Sequence, residues 1–142
     1  MTIYNFYLFS RSGVCLHYRE WKRDKKATIC KNLQEMKLMS GLVLSIRSFC
    51  SKLSTDPGVQ QVDYFKTNQY NFNYYETNTG FKMVLNTDLN ATGMKELMYN
   101  IYKVCAAAIL TTSLTKELDH ISDHLEYFEK KLDNLVQNHP SF

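Results

Sequence analysis

Residues 70 to 89 read YNFNYYETNTGFKMVLNTDL, and the fold turns on this stretch. Tyr70, Phe72 and Tyr74 alternate with Asn71 and Asn73, the period of two that a strand with one buried and one polar face produces. Thr77, Asn78, Thr79 and Gly80 supply turn chemistry, after which Phe81, Met83 and Leu85 alternate with Lys82, Val84 and Asn86. Upstream, an extended segment from about Gln61 to Thr67 runs into a turn at Asn68 and Gln69. Three consecutive strands are therefore expected to form a meander.

Toward the N-terminus, Ile3 to Phe9 is apolar almost without interruption, Ser10 to Gly13 turns, and Val14 to Trp21 resumes an extended pattern. This predicts a hairpin whose first strand is buried on both faces and sits centrally in a sheet covered on both sides. From Leu33 to Leu53 the period becomes helical, with Met36, Met39, Val43, Ile46, Cys50 and Leu53 on one stripe and Leu42 and Phe49 widening it. The opposite face carries Lys37, Ser40, Gly41, Leu44, Arg47, Ser48 and Ser51, with Leu44 its one large apolar residue. Ser54 to Gly58, the strongest breaker cluster in the chain, ends this helix.

Beyond Thr92, which is placed to cap, Leu97, Ile101, Val104 and Ala108 mark a second helix flanked by Met94, Met98, Cys105 and Ile109. Leu114, Leu118, Ile121, Leu125, Phe128, Leu132 and Leu135 follow at steps of four and three until Pro140. So short an a/d repeat is read as packing on the chain's own sheet and not as a coiled coil. The order is β-β-α-β-β-β-α-α, an α/β (α+β) chain with helices enough to cover both faces of a five-stranded antiparallel sheet.

A chain of 142 residues with 44% hydrophobic and 22% charged residues is expected to form one domain over 1–142 and to fold. Its formal net charge of +3, with dispersed Lys and Arg, lacks the basic footprint of a nucleic-acid binder. The longest apolar run, Val104 to Leu110, is far short of the roughly 20 residues of a bilayer span. No basic n-region with a cleavage site precedes Ile3, Thr2 stands where myristoylation needs Gly, and no Cys lies near the C-terminus. Membrane contact is thus expected to be peripheral at most. The basic run Lys22 to Lys26 could meet anionic headgroups, although a solvated loop ending an edge strand accounts for it as well.

Constellations that would carry chemistry are missing. Cys15, Cys30, Cys50 and Cys105 form no Cys-x-x-Cys pair and read as reduced thiols, mostly on apolar faces. His120 and His124 stand four apart with Asp119 and Asp123 beside them, but without the Glu of His-Glu-x-x-His they read as solvated helix surface. There is no Gly-x-Ser-x-Gly elbow, and the 5 glycines form no phosphate loop. The expectation is no catalytic residue, no cofactor and no metal. Asn90-Ala91-Thr92 fits a glycosylation triplet, yet capping by Thr92 explains it better.

Particular residues go further than the pattern. Asn5-Phe6-Tyr7-Leu8-Phe9, Arg11, Gly13, Cys15-Leu16-His17-Tyr18 and Glu20-Trp21 form one group. Lys37-Leu38-Met39, Gly41, Ser45-Ile46-Arg47-Ser48-Phe49 and Ser51-Lys52-Leu53-Ser54 form a second. Tyr74-Tyr75-Glu76-Thr77, Thr79-Gly80 and Val84-Leu85-Asn86-Thr87-Asp88-Leu89 form the third. Together they resemble the subunit 1 family of the TRAPP complex, the small longin-like subunits of the transport protein particle core. The matches span about residues 3 to 89; beyond Leu110 the agreement is one of helical pattern, and Asn78 stands where the family has Pro.

The resemblance implies a longin/profilin-like fold with one helix on one sheet face and two on the other. It also implies membership of a hetero-oligomeric tether, cytoplasmic and peripheral to Golgi and endoplasmic reticulum membranes. That tether acts as a guanine-nucleotide exchange factor for a Rab-family GTPase through a composite surface. In such factors two longin domains pair and present helices, which directs attention to Lys37, Gly41, Leu44, Ser48 and Lys52 on the first helix. Gly and Ser admit another backbone, Leu44 offers an apolar anchor, and the lysines suit an acidic neighbour. The alternatives are another longin-like trafficking subunit, such as a clathrin-adaptor small chain without exchange activity, and a small profilin-like enzyme or sensor.

Overall fold

In the computed structural model the described residues are 2–22, 29–53, 55, 62–114, 121–140 and 142, with side chains excluded at 29–33, 108–114 and 121–125. Strands β1 (Ile3–Phe9) and β2 (Cys15–Glu20) precede helix α1 (Ile29–Leu53). Strands β3 (Tyr64–Lys66), β4 (Asn71–Glu76) and β5 (Lys82–Thr87) form the meander, and helices α2 (Met94–Leu114) and α3 (Ile121–Gln137) complete the β-β-α-β-β-β-α-α order. The five strands make one antiparallel sheet in the order β2-β1-β5-β4-β3.

The apolar run of β1 is buried on both faces, as its lack of alternation predicts, because β1 lies between β2 and β5 under helices on each side. Phe6 and Leu8 share one face with Met83 and Leu85 of β5, and Leu97, Met98 and Ile101 of α2 pack there with Phe128, Leu132 and Val136 of α3. Ile3 joins that face because the β1–β5 register shifts between Ile3 and Asn5. On the other face Tyr7, Phe9, Val84, Phe72 and Tyr74 receive Val43 of α1, with Met36 and Met39 beside it. One helix thus covers one face and two cover the other, the longin-like arrangement. The third helix packs on the chain's own sheet.

Several boundaries and faces differ from the sequence reading. Strand β3 occupies only Tyr64–Lys66 and is exposed throughout, an edge strand with one neighbour. Leu114 ends α2 and does not open the last helix. The asparagines of β4 are not a solvated face: Asn71 and Asn73 are buried on the side that α2 covers. Asn73 meets the cost of burial by donating Nδ2 to Leu85 O (3.0 Å) and Thr87 Oγ1 (3.2 Å). Lys82 is buried too, its Nζ 3.3 Å from Arg11 O. The Ser54–Gly58 breaker cluster (save Thr55), most of the Lys22–Lys26 run, Cys30 and the His120/His124 pair lie outside the described residues or side chains.

Candidate partner-binding surface

The roll of α1 on the sheet decides which side chains it offers outward. Val43 is the deepest of its described residues, and two polar contacts fix the phase on either side of it. Ser40 Oγ donates to Gly13 O at 2.7 Å in the β1–β2 turn, and Arg47 Nε donates to Glu76 Oε2 at 2.9 Å on β4. Gly13 has φ +90, a backbone conformation that residues with a Cβ rarely adopt, and a Cβ there would sit 3.0 Å from Ser40 Oγ. A glycine is what lets the hairpin turn come this close to the helix.

These contacts correct the sequence reading of α1 in two ways. Ser40 and Arg47, assigned to the outer face, reach in to the sheet and the hairpin. Leu42, Phe49 and Leu53, assigned to the core stripe, are exposed, Phe49 at 61% and Leu53 at 64%. The physical reason is that Ser40 and Arg47 find partners on the sheet side, and turning them inward rotates one edge of the wide apolar arc into solvent. Leu38, at 73% exposure, joins them. Leu38, Leu42, Phe49 and Leu53 follow steps of four and seven, so they form a single stripe along the helix. Beside it, Leu38 and Leu42 line a groove of about 870 Å³ whose other wall includes Tyr4, Tyr7 and Tyr70.

All five residues singled out from sequence, Lys37, Gly41, Leu44, Ser48 and Lys52, are exposed on α1. Leu44 is 42% exposed, and a Cβ on Gly13 would lie 3.6 Å from its Cδ1, so it leans on the hairpin turn. Among the described residues nothing stands within 4 Å of a Cβ built on Gly41, so they leave that stretch of helix backbone bare. Sequence reasoning missed the Leu38–Leu53 stripe. The available signal was width: α1 carries more apolar residues around its axis than one sheet face can cover.

Burial pushes the Cys105 thiol up to about 12 and raises that of Cys15, so neither supplies a thiolate near neutral pH. Among the described residues no three His, Cys, Asp or Glu side chains gather as a metal site requires, and no helix is long and apolar enough to cross a membrane.

Comparison with known proteins bears on what such a surface serves. The family model described as Sybindin-like matches residues 3–139. The chain belongs to the Sybindin-like family. It is 41% identical over 142 residues to trafficking protein particle complex subunit 1 of Homo sapiens, covering 100% of this chain and 97% of that relative. It is 27% identical over 131 residues to the Saccharomyces cerevisiae subunit BET5, covering 89% and 82%. Alignment with the human relative runs through the C-terminal third, so kinship extends past Leu89, where the quoted matches end. Among solved structures, the gliding protein MglB of Thermus thermophilus matches with TM-score 0.45 and 14% identity over 96% of this chain and 80% of that one, too slight a likeness to inform function. Membership of the Sybindin-like family, with homology to subunit 1 of the TRAPP complex along the whole chain, ties this protein to TRAPP-associated trafficking.

Proposed function

We propose that this chain is a non-catalytic core subunit of a TRAPP-type vesicle-tethering assembly, and that the outward side of α1 meets a neighbouring subunit and a Rab-family GTPase. The observation that carries this is the exposed apolar stripe of Leu38, Leu42, Phe49 and Leu53 along one flank of α1, with Gly41 on the outer face and Leu44 on the opposite flank. A helix face with large side chains in water and a bare backbone segment is what a partner helix needs for close approach. Lys37 and Lys52 flank it with positive charge suited to an acidic neighbour.

Exchange of guanine nucleotide requires the composite surface to bind the nucleotide-free GTPase more tightly than the loaded form. A subunit contributes to that difference by holding helices in place, with no titrating group of its own. The assembly works in traffic from endoplasmic reticulum to Golgi and within the Golgi, held peripherally on those membranes from the cytoplasm. The test is nucleotide release. The purified chain alone should not stimulate release from any Rab, whereas a reconstituted tether containing it should. Activity of the isolated chain, or its recovery with clathrin-adaptor large chains in place of tether subunits, would overturn the reading.

A further inference from the structure

Across the sheet from α1, helices α2 and α3 leave a groove of about 580 Å³ between them on their outer side. Its floor is apolar, made by Leu97 and Val104 of α2 and Leu135 of α3. Its charged lining is all of one sign. Lys103 and Lys131 stand on opposite walls, and among the described residues no carboxylate lines it. Each ammonium rests over a ring of its own helix, Lys103 Nζ 4.6 Å from the Tyr99 centroid and Lys131 Nζ 4.6 Å from that of Tyr127. A ring holds an ammonium in place without neutralising it, and neither lysine forms an ion pair among the described residues. Asn100, Asn134 and Asn138 add amide donors and acceptors along the same trough.

The geometry points to a docking groove for an acidic amphipathic helix of a partner protein, with apolar side chains on the Leu97–Val104–Leu135 floor and carboxylates on Lys103 and Lys131. Charge complementarity selects the sign of the occupant. The span selects its form: Leu97 to Val104 covers about 10 Å along α2, two helical turns, room for anchors at i, i+4 and i+7. A lipid surface fits worse, since anionic membranes recruit through clusters of roughly four to eight basic residues on an accessible face and here two line a trough. The inference does not rest on α1, because the two surfaces lie on opposite sides of the sheet.

A fluorescent synthetic helix bearing Leu at i, i+4 and i+7 with flanking Glu, titrated with the full chain, tests it. Binding should saturate and weaken with added salt, and the same helix with Lys for Glu should not bind. The pair Lys103→Glu and Lys131→Glu should weaken binding at least about tenfold, with Lys103→Gln and Lys131→Gln falling in between. Lys130→Glu, outside the groove and paired with Glu126, should change little. The proposal is overturned if the acidic helix does not bind or if charge reversal leaves its affinity unchanged. It is equally overturned if vesicles of phosphatidylcholine and phosphatidylserine in equal parts sediment the chain while the peptide fails, or if the groove is closed by a second copy of the chain in solution.

Discussion

Asp133 of α3 accepts both hydrogen bonds that the Arg19 guanidinium of β2 directs at it, at 3.0 and 2.7 Å, and the Trp21 indole N–H adds a third at 2.8 Å. Strand β2 lies at the sheet edge, so this cluster ties that edge to the last helix. Burial works against the charge on Asp133, but the hydrogen bonds from Arg19 and Trp21 outweigh it and hold its carboxyl below the ordinary carboxylate value. Removing the acceptor strands an indole N–H and half of a bidentate pair. Asp133→Ala should therefore cost about 1–2 kcal/mol in urea unfolding, since the cluster is partly exposed. The sign with pH follows from the depression: this contribution is whole above about pH 5 and lost as acidification passes the lowered value, so the variant's deficit should shrink in strong acid.

His17 provides a pH dependence of opposite origin. Its ring lies edge-on to Phe128 with centroids 5.0 Å apart, and its Nε2 is buried without a hydrogen-bond partner among the described residues. Burial lowers its pKa from the ordinary histidine value, Glu129 and Asp133 pull it back up, and Arg19 lowers it further. The folded chain thus binds fewer protons here than the unfolded chain, so stability is retained above about pH 6.5 and falls as pH drops below it. Urea midpoints between pH 7 and pH 5 should fall for the natural chain and fall less for His17→Phe. Equal slopes would remove His17 from the account.

On α1, Phe49→Asp and Leu38→Asp replace side chains already in water, so thermal unfolding of the isolated chain should move by no more than about 0.5 kcal/mol. Leu44→Asp should cost somewhat more, because Leu44 leans on the Gly13 turn. Association with a neighbouring TRAPP subunit should drop by at least about 2 kcal/mol, roughly thirtyfold, for any of the three that lies in the contact. Pull-down read beside melting temperature separates the cases, and unchanged binding in all three would return this face to solvent.

Two glycines, one within this helix and one in the turn against it, call for opposite outcomes. Gly41→Ala meets open space and raises helix propensity, so the free chain should gain about 0.5–1 kcal/mol while losing partner affinity wherever a second backbone approaches. Gly13→Ala must hold φ +90 and crowd Ser40 Oγ, so it should lose about 1–2 kcal/mol with no partner present.

What could be read from the sequence followed from periodicity. Alternation from Tyr70 to Asn86 located β4, the turn at Gly80 and β5, and the unbroken run Ile3–Phe9 showed that β1 is covered on both sides. Periodicity does not say what lies opposite a polar face, and so Asn71 and Asn73 read as solvated although α2 covers them. Nor does it separate an apolar stripe that packs on a sheet from one that awaits another chain. The rotation of α1 was hidden for that reason, being set by Ser40 and Arg47 reaching residues far away in sequence, Gly13 and Glu76. The groove between α2 and α3 was out of reach because Lys103 and Lys131 become neighbours only when the helices pair.

The place of β5 in the middle of the sheet has a consequence during translation. Phe6 lies opposite Leu85, and Leu8 opposite Met83, so the partner of β1 leaves the ribosome only after α1 and two further strands have been made. Until then β1 is paired with β2 alone, one long apolar edge without its neighbour and one face waiting for α2 and α3. Pairings so distant in sequence form slowly, and an open apolar edge is the part of a nascent chain most prone to wrong pairing. The order of synthesis therefore leaves the inner edge of β1 open through the making of α1, β3 and β4, and only the arrival of β5 closes it.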